Sequence, residues 1–146
     1  TTESGDMISA GNRAFSPLLG YISGANTERT RISMTAPVLQ HESQPGVYDV
    51  SFVLPDAVHR SHVPAPTNPR LETIRVPERD AAVVRFNGSW REDRMQRHAQ
   101  QLRDALTREG IATVGEVTFA RFDPPWKPGF LKRTEAIIDL AAPYSA

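Results

Sequence analysis

Apolar positions Ile8, Gly11, Phe15, Leu18, Leu19 and Ile22 recur at spacings of three and four, which predicts a helix. Asp6 is placed to cap its start and Gly24 to end it. Pro17 falls inside the stripe, so the helix is either kinked there or followed by a shorter one that Ser16 caps. The period then changes. Arg31–Gln40 and Val47–Leu54 read as strands joined by a polar turn through Ser43, Gln44, Pro45 and Gly46, with Tyr48, Val50, Phe52 and Leu54 as the cleaner apolar face. Pro55, Pro64, Pro66 and Pro69 mark residues 55–70 as a long extended connection. Two more strands follow, Thr73–Glu78 and Ala81–Asn87, with Arg79 and Asp80 as the turn. A second helix is predicted over Glu92–Glu109, with Met95, His98, Ala99, Leu102, Ala105 and Leu106 on its buried stripe and Gly110 ending it. Strands Gly115–Phe122 and Thr134–Leu140 close the chain around a proline-rich loop.

The order helix, strand, strand occurs at 6–54 and again at 91–140, so the expected class is α+β with two related halves. The second half is preceded by a strand pair, the first only by Thr1-Thr2-Glu3-Ser4. A symmetric architecture needs another strand there, and an open sheet edge is a liability. The expectation is one domain over 1–146, shortened at its N-terminus, with its first strand missing.

Seventeen basic residues balance seventeen acidic ones, so no global field draws nucleic acid or an anionic membrane surface. No window approaches the ~18 apolar residues of a membrane span. A soluble chain is expected, with the cytoplasm the favoured compartment. The sequence has no cysteine, which excludes disulfides, thiolate ligation and a cysteine nucleophile.

Phosphate-loop, nucleophile-elbow, zinc-protease and dinucleotide motifs are all absent. His59 and His62 have only Asp56 nearby as a third ligand, a poor metal site. His98 lies on the apolar stripe between Met95 and Leu102, where an imidazole serves packing, ligates iron or donates to a ligand carboxylate. The segment Asp123-Pro124-Pro125-Trp126-Lys127-Pro128-Gly129-Phe130-Leu131-Lys132 is the most informative. Its prolines force the chain out of a sheet, and Trp126, Phe130 and the lysines suit an apolar ligand carrying acid groups; packed on its own sheet, it is only a lid.

Five motifs, in order, resemble one family. Asn26 with Arg31-Ile32-Ser33-Met34-Thr35-Ala36-Pro37-Val38 is similar to the N-x-x-x-x-x-I-x-M-T-A-P-V signature of the SOUL/haem-binding protein family. Tyr21-Ile22-Ser23-Gly24, Ser51-Phe52-Val53-Leu54-Pro55, Val84-Arg85-Phe86-Asn87-Gly88 and the proline loop resemble its helix end, strand exit, F-x-G element and D-P-P-x-x-P-G-F-x-R-x-E element.

The resemblance implies a distorted antiparallel β-barrel flanked by two helices. It also implies reversible binding of haem or another tetrapyrrole, in an apolar groove between the first helix and the 123–132 loop. Carried over, Phe15, Leu18 and Leu19 line the helix side and Trp126 and Lys127 the loop side; Ile22 on the same stripe and Phe130 on the same loop join them by their own chemistry. Lys127 is then the propionate partner; Arg13, about a turn from that wall and without a matching family position, is a second candidate cation, and His98, from its place on the second helix's stripe, is the candidate iron ligand. The expected role is a non-enzymatic binder or carrier of a small molecule, its oligomeric state open. The alternatives are a small-molecule sensor related to regulator effector domains, with Glu116 or Glu135 in its pocket, a module docking through the loop, and a tetrapyrrole-modifying enzyme using Asp123 or His98 as acid.

Overall fold

The computed structural model describes residues 1–124 and 126–143, without the side chains of 59–61. Pro125 of the loop, and His59 of the weak metal motif, thus lie outside what is described. The chain forms two compact units, Thr1–Val76 and Pro77–Ala146. Among the described residues there are six strands and three helices, an α+β fold whose strand ladders are antiparallel.

In the first unit, β1 (Thr2–Ser4) is followed by α1 (Met7–Ile22), β2 (Val38–Gln44), β3 (Val47–Phe52) and the short α2 (Asp56–Ser61). β3 lies between β1 and β2: Thr2 sits opposite Asp49, and Val38 opposite Phe52. In the second unit, β4 (Ala81–Asn87) precedes α3 (Glu92–Arg108), β5 (Thr113–Arg121) and β6 (Arg133–Leu140). Here β6 lies between β4 and β5, with Phe86 and Arg121 both opposite Thr134. Each unit therefore repeats one topology: strand, helix, hairpin, with the first strand paired to the last. Thr2–Ser4, which the sequence reading left without an element of its own, supplies that first strand in the first unit.

Asp6 caps α1, its carboxylate accepting the Ser9 N–H at 3.0 Å. That hydrogen bond holds its carboxyl below the ordinary aspartate value. The helix runs unbroken through Pro17, which deprives it of one backbone hydrogen bond. What keeps it whole is burial on both sides of the proline, by Met7, Ala10, Gly11 and Ala14 before it and Leu18, Tyr21 and Ile22 after it. The buried stripe is rotated from the one expected. Small residues and Tyr21 turn inward, while Ile8, Phe15 and Leu19 are left partly or largely exposed. α1 packs on β3 and β1, and a core of Ala14, Leu18, Tyr21, Ile22, Ile32, Val50 and Leu71 forms beneath it. The buried Tyr21 hydroxyl donates to Pro64 O at 2.8 Å, and burial pushes its pKa up.

Two strand expectations change, and the extended connection gains a helix. Residues 31–37 are not in a strand, because Ile32 N–H is committed to Ile22 O (2.8 Å) and Pro37 has no amide hydrogen; the ladder starts at Val38. Thr73–Glu78 has no strand pairing among the described residues, and its Ile74 and Val76 face solvent. The proline connection holds one helical turn and a half, α2, which Pro55 enters in an extended conformation. α3, β4 and β6 lie where the pattern placed them, with α3 packed on β4, β6 and β5.

Candidate functional site

In the first unit, the family-signature Asn26 is a structural bolt. It is 1% exposed; its amide donates to Tyr21 O (3.0 Å) and Thr30 O (2.8 Å), and its carbonyl accepts from Thr30 N–H (3.1 Å). Those bonds fold the turn back over the end of α1, and Gly24, at φ +117°, makes the reversal sterically open. α1 is thereby fixed at both ends.

On this fixed helix the candidate residues divide. Leu18 and Ile22 are buried in the core. Phe15 is half-buried and meets Phe52 edge to face, with ring centroids 5.5 Å apart. Leu19 is 40% exposed. Ile8, Phe15 and Leu19 stand at i, i+7 and i+11, so they form one apolar margin beside exposed Asn12 and Ser16. Arg13 turns toward β1, with Nε 3.4 Å from the Glu3 carboxylate and Nη2 donating to Ser4 O. Arg70 meets the same carboxylate at 3.4 Å.

In the second unit, the loop after β5 is two successive tight turns. Lys127 N–H donates to Pro124 O (3.2 Å), and Leu131 and Lys132 N–H donate to Pro128 O (3.0 Å) and Gly129 O (3.1 Å). The second turn is a 3₁₀ helix over Gly129–Leu131, where Ser89 packs so closely that a side chain at Gly129 would displace it. Asp123 braces the assembly: Oδ1 accepts from Lys127 Nζ and Oδ2 from Arg133 N–H, both at 2.5 Å. The Lys127 and Arg133 hydrogen bonds hold its carboxyl below the ordinary aspartate value. With its backbone held, the loop presents Trp126 and Phe130 at 83% and 74% exposure.

Behind the loop, cations lie on aromatic rings. Lys132 Nζ is 4.0 Å and the Arg121 guanidinium 5.0 Å from the Trp90 ring centre, and Arg133 lies 4.2 Å from that of Phe122. Arg121 is buried, which pushes its pKa down to about 10. Neither Trp90 nor Arg121 is announced by any local signal, since the stack joins residues 31 apart in the chain. His98 is half-buried and stacks on Phe86, ring centres 4.0 Å apart and planes 17° from parallel. Phe86 in turn faces Thr134 across β4 and β6.

The carboxylates that a cation-sensing pocket requires lie elsewhere in this unit. Glu135 pairs with Arg85 at 2.8 Å, and Glu116, largely exposed, pairs with Arg103 at 2.7 Å. Among the described residues no group of three or more His, Cys, Asp or Glu is placed to hold a metal ion. No described helix is long and apolar enough to cross a membrane.

Two features are chemically unusual: an apolar margin on a bolted helix, and two exposed aromatics with a lysine on a braced loop. No curated protein matches the chain. The family model described as SOUL heme-binding protein matches residues 1–139 of the 146. With a match over nearly its whole length, carrying the Asn26 bolt and the braced loop, the chain belongs to the SOUL haem-binding protein family.

Proposed function

We propose that this chain binds haem or a related tetrapyrrole reversibly and does no chemistry on it. The observation that carries the reading is the loop. Trp126 and Phe130 are large, exposed and mounted on a backbone that Asp123 ties at both sides. Exposed aromatics on a rigid mount bind a flat apolar ligand without a large ordering cost. Of the α1 candidates, Leu18 and Ile22 serve the core and Arg13 holds α1 to β1, so Phe15 and Leu19 are the ones left outside it. Covering a few hundred Å² of apolar surface, at ~25 cal/mol per Å², supports micromolar affinity after association costs. Lys127 is the loop's cation for the propionate carboxylates, and Asp123 already holds it.

The residues present suit the macrocycle better than the iron. A tetrapyrrole's face is flat and apolar, which is what exposed aromatic side chains take up; haem iron, if bound, would add a Lewis-acidic centre with room for a protein ligand. His98 is the candidate for that position, and its stacking on Phe86 fixes the ring. The reading is tested by titrating the protein with haemin and with iron-free protoporphyrin IX, followed by difference absorbance across the Soret region. Saturation by both supports recognition of the macrocycle. Saturation by haemin alone transfers the weight to His98, and His98→Ala then abolishes the shift. Saturation by neither refutes the reading.

A further inference from the structure

We infer that Asp123 determines how the loop treats a ligand's carboxylates, by keeping Lys127 in an internal ion pair that such a carboxylate must displace. The inference rests on the tetrapyrrole reading above.

Within the loop the lysine folds back on the aspartate. The turn closed by Lys127 N–H and Pro124 O brings Nζ to 2.5 Å from Asp123 Oδ1. The second oxygen, Oδ2, is taken by Arg133 N–H across the loop. One carboxylate thus has both oxygens committed and links the two strands' exits. Asp123 is also the better shielded partner of the pair, so Lys127 is held by an anion that is itself held.

An incoming propionate offers Lys127 the same chemistry that Asp123 already supplies. Exchanging one carboxylate for another gains little, and the fixed charge of Asp123 repels the newcomer. In the wild-type protein the loop therefore grips through Trp126 and Phe130 and discriminates weakly between a free diacid and a neutral ester. Asp123→Asn removes the negative charge while leaving an amide oxygen for Arg133 N–H, so the brace survives and the ammonium is released.

The test measures dissociation constants for protoporphyrin IX and its dimethyl ester by quenching of tryptophan fluorescence. It uses the wild type, Asp123→Asn, Lys127→Gln and the double variant. The ratio of ester to diacid constants is expected to rise about fivefold in Asp123→Asn, the size of one released surface ion pair. It should return to the wild-type value in the double variant, and Lys127→Gln, which leaves the Asp123 charge unpaired, should not raise it. An unchanged ratio in Asp123→Asn overturns the inference. So does a rise that persists in the double variant, because Lys132 or Arg133 would then be the cation. A rise in Lys127→Gln alone also overturns it, since removing the ammonium cannot favour the diacid if Lys127 is the cation that Asp123 holds. Saturation with an unchanged ratio removes only the role of Asp123. Failure of all four proteins to saturate with either compound refutes the tetrapyrrole reading, and this inference with it.

Discussion

Replacing Asn26 tests whether the family signature works as a bolt. Asn26→Ala deletes three hydrogen bonds at a site 1% exposed: two donated, to Tyr21 O and Thr30 O, and one accepted from Thr30 N–H. Tyr21 O keeps the Gly24 N–H at 3.2 Å, whereas the Thr30 amide loses its side-chain acceptor. At about 1 kcal/mol net for each bond, the loss is about 3 kcal/mol. For a chain of this length that lowers Tm by roughly 10 °C. Asn26→Asp sharpens the test. It keeps the acceptor for Thr30 N–H but turns the other oxygen on two carbonyls and buries a charge, so at neutral pH it should cost at least as much as alanine. Its carboxyl would titrate above the ordinary aspartate value in the fold, so its deficit should shrink as pH falls and the group protonates. Urea unfolding followed by far-UV circular dichroism is the suitable assay. Both tryptophans, Trp90 and Trp126, lie in the second unit and report on the wrong half. An alanine variant within about 1 kcal/mol of wild type, or an aspartate variant as stable as wild type at neutral pH, would refute the bolt.

Three further outcomes are expected. Leu19→Asp should weaken tetrapyrrole binding with a stability change under about 1 kcal/mol, because Leu19 is exposed, whereas the buried Leu18→Ala should cost about 2–5 kcal/mol; paired titration and denaturation data with the reverse pattern would show the helix to be turned otherwise. Gly88→Ala should destabilise by about 1–3 kcal/mol, since Gly88 has φ +133° and the Arg94 guanidinium occupies the space a Cβ needs; a neutral result in thermal melts would contradict that backbone. The Arg133 amide proton shift should titrate with Asp123 at a midpoint below ~3.9, the unfolded aspartate value. A depressed folded pKa means the brace stabilises fully above that value and is lost as pH falls through the folded pKa, so an NMR midpoint at or above ~3.9 would count against the brace.

Elements whose signals are local were legible from the chain alone. α3, β4 and β6 follow from spacings of three and four or from alternation, with Gly110 ending α3, and the Asp6 cap needs only the residue three places on. The ordered motifs were enough to indicate the family, and the aromatic loop was visible as a candidate site because prolines exclude it from a sheet. Tertiary structure decided the rest. A strand exists only with a partner, so Thr2–Ser4 became one because Val47–Asp49 lies alongside it, while 31–37 and 73–78 carried strand-like residues and found no ladder. Which face of α1 is buried depended on the surface it met. Packed on β1 and β3, α1 buries Met7, Ala10, Ala14 and Tyr21, and Phe15 and Leu19 are left on its margin. The partners of Lys127 and Arg13 were equally unreadable, since a long cationic side chain takes whichever carboxylate the folded backbone brings within reach. Periodicity states that a residue has an apolar side chain; only packing determines whether the core uses it or leaves it for a ligand.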